Sequence, residues 1–422
     1  MTKAEKILVK APKGTKDVLP DEAEKREAFL EAVRGVYARY GYRRIDTPVF
    51  ESEQLFARGI GEGTDIVNKE MYSFEDKGGR RLALRPEATA GVVRAYIENN
   101  MGVGAPLLKV FYEGPMFRYE RPQGGRQRQF WQTGVEAIGV ADPLLDAEVI
   151  DLAVACLTAG GLTDLTLRIN SVGCPVCLPA YVAALRSYLC EAAGDFCETC
   201  RDRAKRNPMR VFDCKNEGCR RALKKAPVIK DYLCGDCRAH FENVLSGLDE
   251  LNVAYVQDDS LVRGLDYYTR TTFELTSGSL GAQDAVAAGG RYDGLISLFG
   301  GLDTPGIGFA VGVERSLIAA EGYGEGTSRL DAVIIAMGEA AKMVGLKMAN
   351  ALRREGAAVD LDFTDKSLAK RLTAADRTGA RYTVLIGEDE LMTGSVTVRN
   401  MATGEQQSVE AEVVSEIVTG KS

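Results

Sequence analysis

Arg118, Gln132 and Glu136 flank a short polar link, and their types and spacing suit the handling of a charged ligand. Residues 107–118 (LLKVFYEGPMFR) and 129–138 (QFWQTGVEAI) read as two strands joined by RPQGGRQR. Gln132 and Glu136 share a sheet face, because residues an even number apart along a strand do so. With Arg118 facing the same way, one surface offers a guanidinium, an amide and a carboxylate. The link adds Arg121, Arg126 and Arg128. A basic, glycine-containing loop over a sheet suits a phosphate-rich ligand. The plain alternative is a solvated hairpin with surface arginines, and these residues alone leave both readings open.

Cysteine supplies the second constellation. Nine of the ten cysteines fall between Cys174 and Cys237. Cys174-x2-Cys177 and Cys197-x2-Cys200, separated by 19 residues, have the spacing of a zinc ribbon. Cys214-x4-Cys219 and Cys234-x2-Cys237 form a second set, and a mixed pairing fits equally well. So does a reduced helical insertion whose cysteines pack as small hydrophobes. The expectation is structural zinc, away from the chemistry. The chain has a single histidine, His240, which excludes a site built from several histidine ligands and argues against a catalytic histidine.

These residues need elements to hold them. Phe29, Leu30, Val33, Val36, Tyr37 and Tyr40 recur at helical spacing over 20–40. MYSFEDKGGRRLALRPE reads as a hairpin turning at Lys77-Gly78-Gly79. Asp142 and Pro143 can start a helix through Leu157, and 165–171 is a short strand. VAYVQDDSLVRGLDYYTRTTFELTS reads as two strands, and GIGFAVGVERSLIAA as a strand running into a helix. Gly306, Gly308 and Gly312 have the wrong spacing for a dinucleotide fingerprint; close approach of strand and helix is the expected reason for them. The expected fold class is α+β: an antiparallel-sheet catalytic domain over 1–171 and 251–325, interrupted by a Cys-rich insertion at 172–250. Beyond the Gly-rich stretch 322–330 the pattern alternates strand and helix, predicting a small, mostly parallel α/β domain over 330–422.

Bulk properties exclude some functions. The net charge of −7 argues against a uniformly basic, nonspecific nucleic-acid binder, but leaves room for a local basic groove. No run of about 18 apolar residues is present, so no membrane span is expected. The opening MTKAEKILVKAPKG lacks the apolar core of a signal peptide. A cytoplasmic protein with reduced thiols is the expectation.

The segment MFRYERPQGGRQRQFWQTGVE resembles motif 2 of class II aminoacyl-tRNA synthetases, in the form used by the histidine enzyme. The helix through Tyr40 followed by IDTPVFE resembles motif 1, and GIGFAVGVERSL, ending in Arg315, resembles motif 3. LVRGLDYYTRTTFE and GGRYDGL resemble the two histidine signatures, and LRPEATA the amino-acid-binding loop. The likeness to the histidyl-tRNA synthetase family covers nearly the full length, and the C-terminal part resembles an anticodon-binding module.

This resemblance implies activation of histidine by ATP and transfer to the 3′ end of tRNA(His), by a homodimer using magnesium. It implies that Arg118 binds the α-phosphate, Arg315 the γ-phosphate, and Arg263 the substrate carboxylate and α-phosphate. Glu120 and Arg126 would complete the ATP site. Glu87, Thr89 and Gln132 would hold the ammonium and backbone of histidine. Glu136 and Tyr268, with Tyr267 and Tyr292 as further candidates, would satisfy the imidazole, which offers one donor and one acceptor. Arg121, Gln123 and Arg126 would approach the tRNA acceptor end. Lys366, Lys370, Arg371 and Arg377 are basic positions on the second helix of the C-terminal domain, where a solvated face is an equal reading. Two rivals stand. One is a synthetase-like regulatory subunit of ATP phosphoribosyltransferase, which usually lacks the RGLDYYTR signature. The other is a class II synthetase for another amino acid.

Overall fold

The computed structural model describes residues 10–61, 64–120, 125–281, 284–320, 322–323 and 330–420. The chain divides into two compact units, with the division after Tyr323.

In the first unit, β1 (Arg43–Arg44) is followed by a small antiparallel sheet of β2 (Phe50–Ser52), β3 (Ser73–Glu75) and β4 (Arg81–Leu84), in the order β2-β4-β3. The expected hairpin is the β3–β4 pair. The large sheet follows: β5 (Leu108–Phe117), β6 (Gln129–Ile138), β7 (Leu165–Ser171), β8 (Val256–Gln257), β9 (Thr269–Ser277), β10 (Ala285–Arg291) and β11 (Gly306–Gly312). With β1 it forms eight strands in the order β1-β5-β6-β11-β10-β9-β7-β8. Its interior pairings are antiparallel; only the edges β1–β5 and β7–β8 are parallel.

One face of this sheet is covered by apolar helices. Helix Pro20–Arg39 buries Phe29, Leu30, Val33, Val36 and Tyr37, and helix Pro143–Ala159 begins at Asp142, whose carboxylate accepts the Leu144 N–H. Val135 of β6, Phe273 of β9 and Phe309 of β11 pack against these helices. The alternate β6 residues Gln132 and Glu136 therefore look the other way, toward the open face.

The pair of strands expected over 253–277 is mostly loop. β8 has two residues, and 258–268, which carries Arg263, Tyr267 and Tyr268, is a run of turns until β9 begins. Gly264 and the polar run QDDS supply no alternation that could hold a strand.

The Cys-rich insertion leaves the end of β7 and returns through helix Gly235–Glu250 to β8, the parallel neighbour of β7. It is built from short helices around its own cluster of Tyr181, Leu185, Leu189, Phe196, Val211 and Ile229 with buried cysteines. The returning helix buries Val244 and Leu248 in the main core. There His240 meets Asp146 at 2.9 Å, and Asp146 also receives Arg291 at 2.7 Å. All three side chains are buried, so the chain's one histidine sits in a structural network.

The second unit carries β12 (Ala332–Ala336), β13 (Val359–Asp362), β14 (Tyr382–Ile386), β15 (Ser395–Asn400) and β16 (Gln406–Glu410), in the order β13-β12-β14-β15-β16. The first three strands are parallel and the hairpin adds antiparallel pairings, so the sheet is half parallel rather than mostly so. Arg371 is no surface residue. It is buried, bridging Asp362 at 2.7 Å and the Ala336 carbonyl at 2.9 Å. Lys366, Lys370 and Arg377 are exposed.

Candidate functional site

The open face of the large sheet carries a cavity of about 510 Å³ lined by Glu87, Thr89, Arg118, Glu120, Arg126, Gln132, Glu136, Arg263, Tyr267, Tyr268 and Arg315. Every described residue expected in the amino-acid and nucleotide sites is therefore in one place. Arg121 and Gln123 lie outside the described residues.

Glu136 anchors one part of the cavity. Thr89 donates its hydroxyl to one carboxylate oxygen at 2.7 Å and Tyr292 to the other at 2.5 Å. Burial raises Glu136 to about 8, over the opposing pull of the Tyr292 and Thr89 hydroxyls. Space for this carboxylate is made by Gly308, paired with Glu136 across β6 and β11. A Cβ there would lie 2.7 Å from the Glu136 carboxyl carbon and would also strike the Val135 carbonyl. The glycine-rich stretch thus makes room for a side chain between strands, which corrects the expected strand–helix approach. Tyr292, a further candidate in sequence, is the phenol that holds Glu136; Tyr267 and Tyr268 lie beside it with ring centroids 4.8 Å apart.

Glu87 has a local task as well. Its carboxylate accepts the N–H groups of Thr89 (2.6 Å) and Ala90 (3.0 Å), at the start of helix Thr89–Glu98. This uses a carboxylate where the helix leaves donors unsatisfied.

The cationic part is built from three arginines. Arg118 donates Nε to the Pro86 carbonyl at 2.8 Å and lies over the Phe130 ring at 5.4 Å. Arg263 pairs with Glu274 at 2.5 Å, a partner whose role no spacing in the sequence announces. Burial lowers the Arg315 guanidinium, and the charge of Arg126 adds to this. Glu120 pairs with Arg126 at 2.9 Å and stands 4.0 Å from Arg118, so it holds arginines of the loop. Two buried polar atoms, Nε of Arg263 and Oε1 of Gln132, have no hydrogen-bond partner among the described residues. Such atoms in a cavity lining are groups for a ligand to satisfy.

Sequence reasoning missed one wall. Phe212, Asp213 and Arg220, all from the insertion, also line the cavity. Burial pushes the Asp213 carboxyl up, against the opposing charges of Arg210, Arg203 and Arg263.

The cysteines gather in the mixed pairing. Cys174, Cys177, Cys234 and Cys237 form one group and Cys197, Cys200, Cys214 and Cys219 the other, with all sulfurs of a group within 4.8 Å. The ribbon spacing of Cys174–Cys200 is overruled because helix Leu178–Glu191 carries the chain about 20 Å from Cys177. Sulfur separations of 3.7 Å (Cys174–Cys177), 3.8 Å (Cys177–Cys237) and 3.9 Å (Cys197–Cys214) are those of a tetrahedron edge. Four zinc–sulfur bonds of about 2.3 Å give an edge of about 3.8 Å, whereas a disulfide needs about 2.05 Å. Both groups therefore fit a tetrahedral soft metal. The second group is not remote from the chemistry, because Cys214 directly follows Asp213 of the cavity wall.

An antiparallel sheet presenting arginines and acids on its open face, joined to a separate α/β unit, is the architecture of class II aminoacyl-tRNA synthetases. Comparison with known proteins narrows the class. The histidyl-tRNA synthetase family model matches residues 14–315, and an anticodon-binding domain matches 331–421. The chain is 49% identical to a histidine–tRNA ligase of Halothermothrix orenii over 95% of this chain and 96% of that protein. It is 46% identical to the ligase of Clostridioides difficile over 97% and 99%. The structure of apo histidyl-tRNA synthetase from S. aureus superimposes with a TM-score of 0.80 at 38% identity, covering 97% of this chain and all of that one. The chain belongs to the histidyl-tRNA synthetase family.

Proposed function

We propose that the cavity activates histidine with ATP and then transfers it to the 3′ end of tRNA(His). One observation carries this reading. A carboxylate held by two hydroxyls and three guanidiniums share one cavity, with unpaired polar atoms of Gln132 and Arg263 in its lining. Glu136 accepts an imidazole N–H, and the tyrosines around it satisfy the second nitrogen. Such a site rejects apolar isosteres, which would leave its buried polar groups unpaired. Gln132, Glu87 and Thr89 face the ammonium end. Arg263 and Arg118 receive the carboxylate and α-phosphate, where they offset charge that builds in the transition state. Arg315, Arg126 and Glu120 hold the outer phosphates and adenine. Magnesium, bound with ATP, neutralises the outer phosphates. No protein nucleophile is required, since positioning and charge supply the rate.

Arg121 and Gln123, with Arg126, meet the acceptor end of the tRNA, and the C-terminal unit reads the single-stranded anticodon loop through exposed groups such as Lys366, Lys370 and Arg377. Each tetracysteine group holds one zinc. The working form is a cytoplasmic homodimer. Among the described residues no helix is long and apolar enough to cross a membrane. ATP–pyrophosphate exchange with each amino acid in turn tests the reading: exchange driven by histidine alone is expected. Exchange driven by another amino acid overturns the choice of substrate, and exchange with none favours the regulatory subunit.

A further inference from the structure

The insertion holds the segment that carries three site residues. Arg210, on the turn Pro208–Asp213, donates Nη2 to the Gly264 carbonyl at 2.7 Å and to Asp266 at 3.1 Å. The Asn207 amide reaches the same Asp266 carboxylate at 3.3 Å. Arg263 immediately precedes Gly264, and Tyr267 and Tyr268 immediately follow Asp266. Because 258–268 lies outside any extended strand, these contacts supply a restraint that sheet hydrogen bonds do not.

The second cysteine group brackets the turn that carries Arg210. Cys197 and Cys200 lie at the head of helix Glu198–Arg206, before the turn, and Cys214 ends the turn. Cys219 sits in helix Glu217–Leu223, seven residues long and too short to be stable alone. Arg220 of the cavity wall donates Nε to the Cys214 carbonyl at 3.2 Å. Two of the sulfurs accept backbone N–H groups: the Cys197 N–H donates to Cys219 at 3.2 Å and the Asn216 N–H to Cys214 at 3.4 Å. As four free thiols this cluster offers only weak hydrogen bonds between its sulfurs. Bound to one metal it becomes a rigid clamp.

We propose that the metal at Cys197, Cys200, Cys214 and Cys219 positions the histidine-recognition segment, acting through Arg210 on Gly264 and Asp266 and through Phe212, Asp213 and Arg220 on the cavity wall. The inference rests on the reading that zinc occupies this group and that the cavity takes histidine. Arg210 is a positioning residue; the groups that touch histidine are Arg263 and the tyrosines.

The test uses the full-length chain purified without chelator, and measures zinc per chain together with histidine and ATP kinetics in pyrophosphate exchange. Cys197→Ser with Cys214→Ser should keep one of two zincs. It should raise the KM for histidine about tenfold or more, the scale of losing a support behind a binding group. Arg210→Met should keep both zincs and reproduce the rise in histidine KM, which decides the matter if the cysteine variant does not fold. In cobalt-loaded protein, histidine should shift the thiolate–cobalt absorption bands, and Arg210→Met should abolish that response. Less than about half an equivalent of zinc in the unmodified chain defeats the zinc reading, and the inference with it. Loss of histidine-dependent exchange in the unmodified chain defeats the activity reading instead. With two zincs and normal exchange, an unchanged histidine KM in Arg210→Met, or cobalt bands that histidine leaves unmoved, overturns the positioning role alone.

Discussion

Glu136 is the residue on which the proposed specificity turns, and its environment makes it testable. Glu136→Gln keeps the shape but exchanges an acceptor for a donor. The expected loss in kcat/KM for histidine is about 100-fold or more, with the KM for ATP little changed. A sign follows for stability. The folded chain holds the Glu136 proton up to about 8, well above the ordinary glutamate value. Between those limits the folded state binds more protons than the unfolded state, so this residue's contribution to stability falls as pH rises. Thermal melts should show wild type losing more stability than Glu136→Gln between about pH 6 and about pH 9. An equal loss in both proteins would refute the assignment. Arg263→Ala removes the guanidinium that we propose faces the developing charge, and pyrophosphate exchange should fall by about 100-fold or more with the melting temperature nearly unchanged.

At the scale of elements, the sheet shows how far pattern carries. The two strands around RPQGGRQR, the hairpin at Lys77-Gly78-Gly79 and the helix begun by Asp142 were legible because alternation, turn residues and caps act locally. The pairing of Cys174 with Cys234 was not, since it depends on where helix Leu178–Glu191 ends in space. Nor was the insertion's share of the cavity wall, because Asp213 and Arg220 reach it through tertiary packing alone. The role of Gly308 became clear only once β6 and β11 were in register. Gly308→Ala forces a methyl group into the Glu136 carboxylate and a backbone carbonyl of a central strand. We expect a loss of roughly 1–3 kcal/mol by urea denaturation, together with weaker histidine binding. A neutral substitution would mean that the strands can part without cost.

For the molecule as a whole, three distant pieces of chain meet at Asp146: helix Pro143–Ala159, Arg291 at the end of β10, and His240 on the helix that closes the insertion. Arg291→Met takes the fixed positive charge from the buried Asp146 carboxylate and leaves it the His240 ring, and the cost should be roughly 3–5 kcal/mol in chemical denaturation, far above that of any exposed pair. Because Tyr292 is the next residue, histidine affinity should fall as well. The other group of cysteines has a consequence of a different kind. Cys174 and Cys234 lie 60 positions apart in the chain and 3.9 Å apart in space. Everything between them begins and ends at one knot just past the end of β7. A segment tied off in this way is a cassette for the host sheet but not for the site: a replacement would have to start and end at the same knot and also present a group where Arg210 meets Gly264 and Asp266.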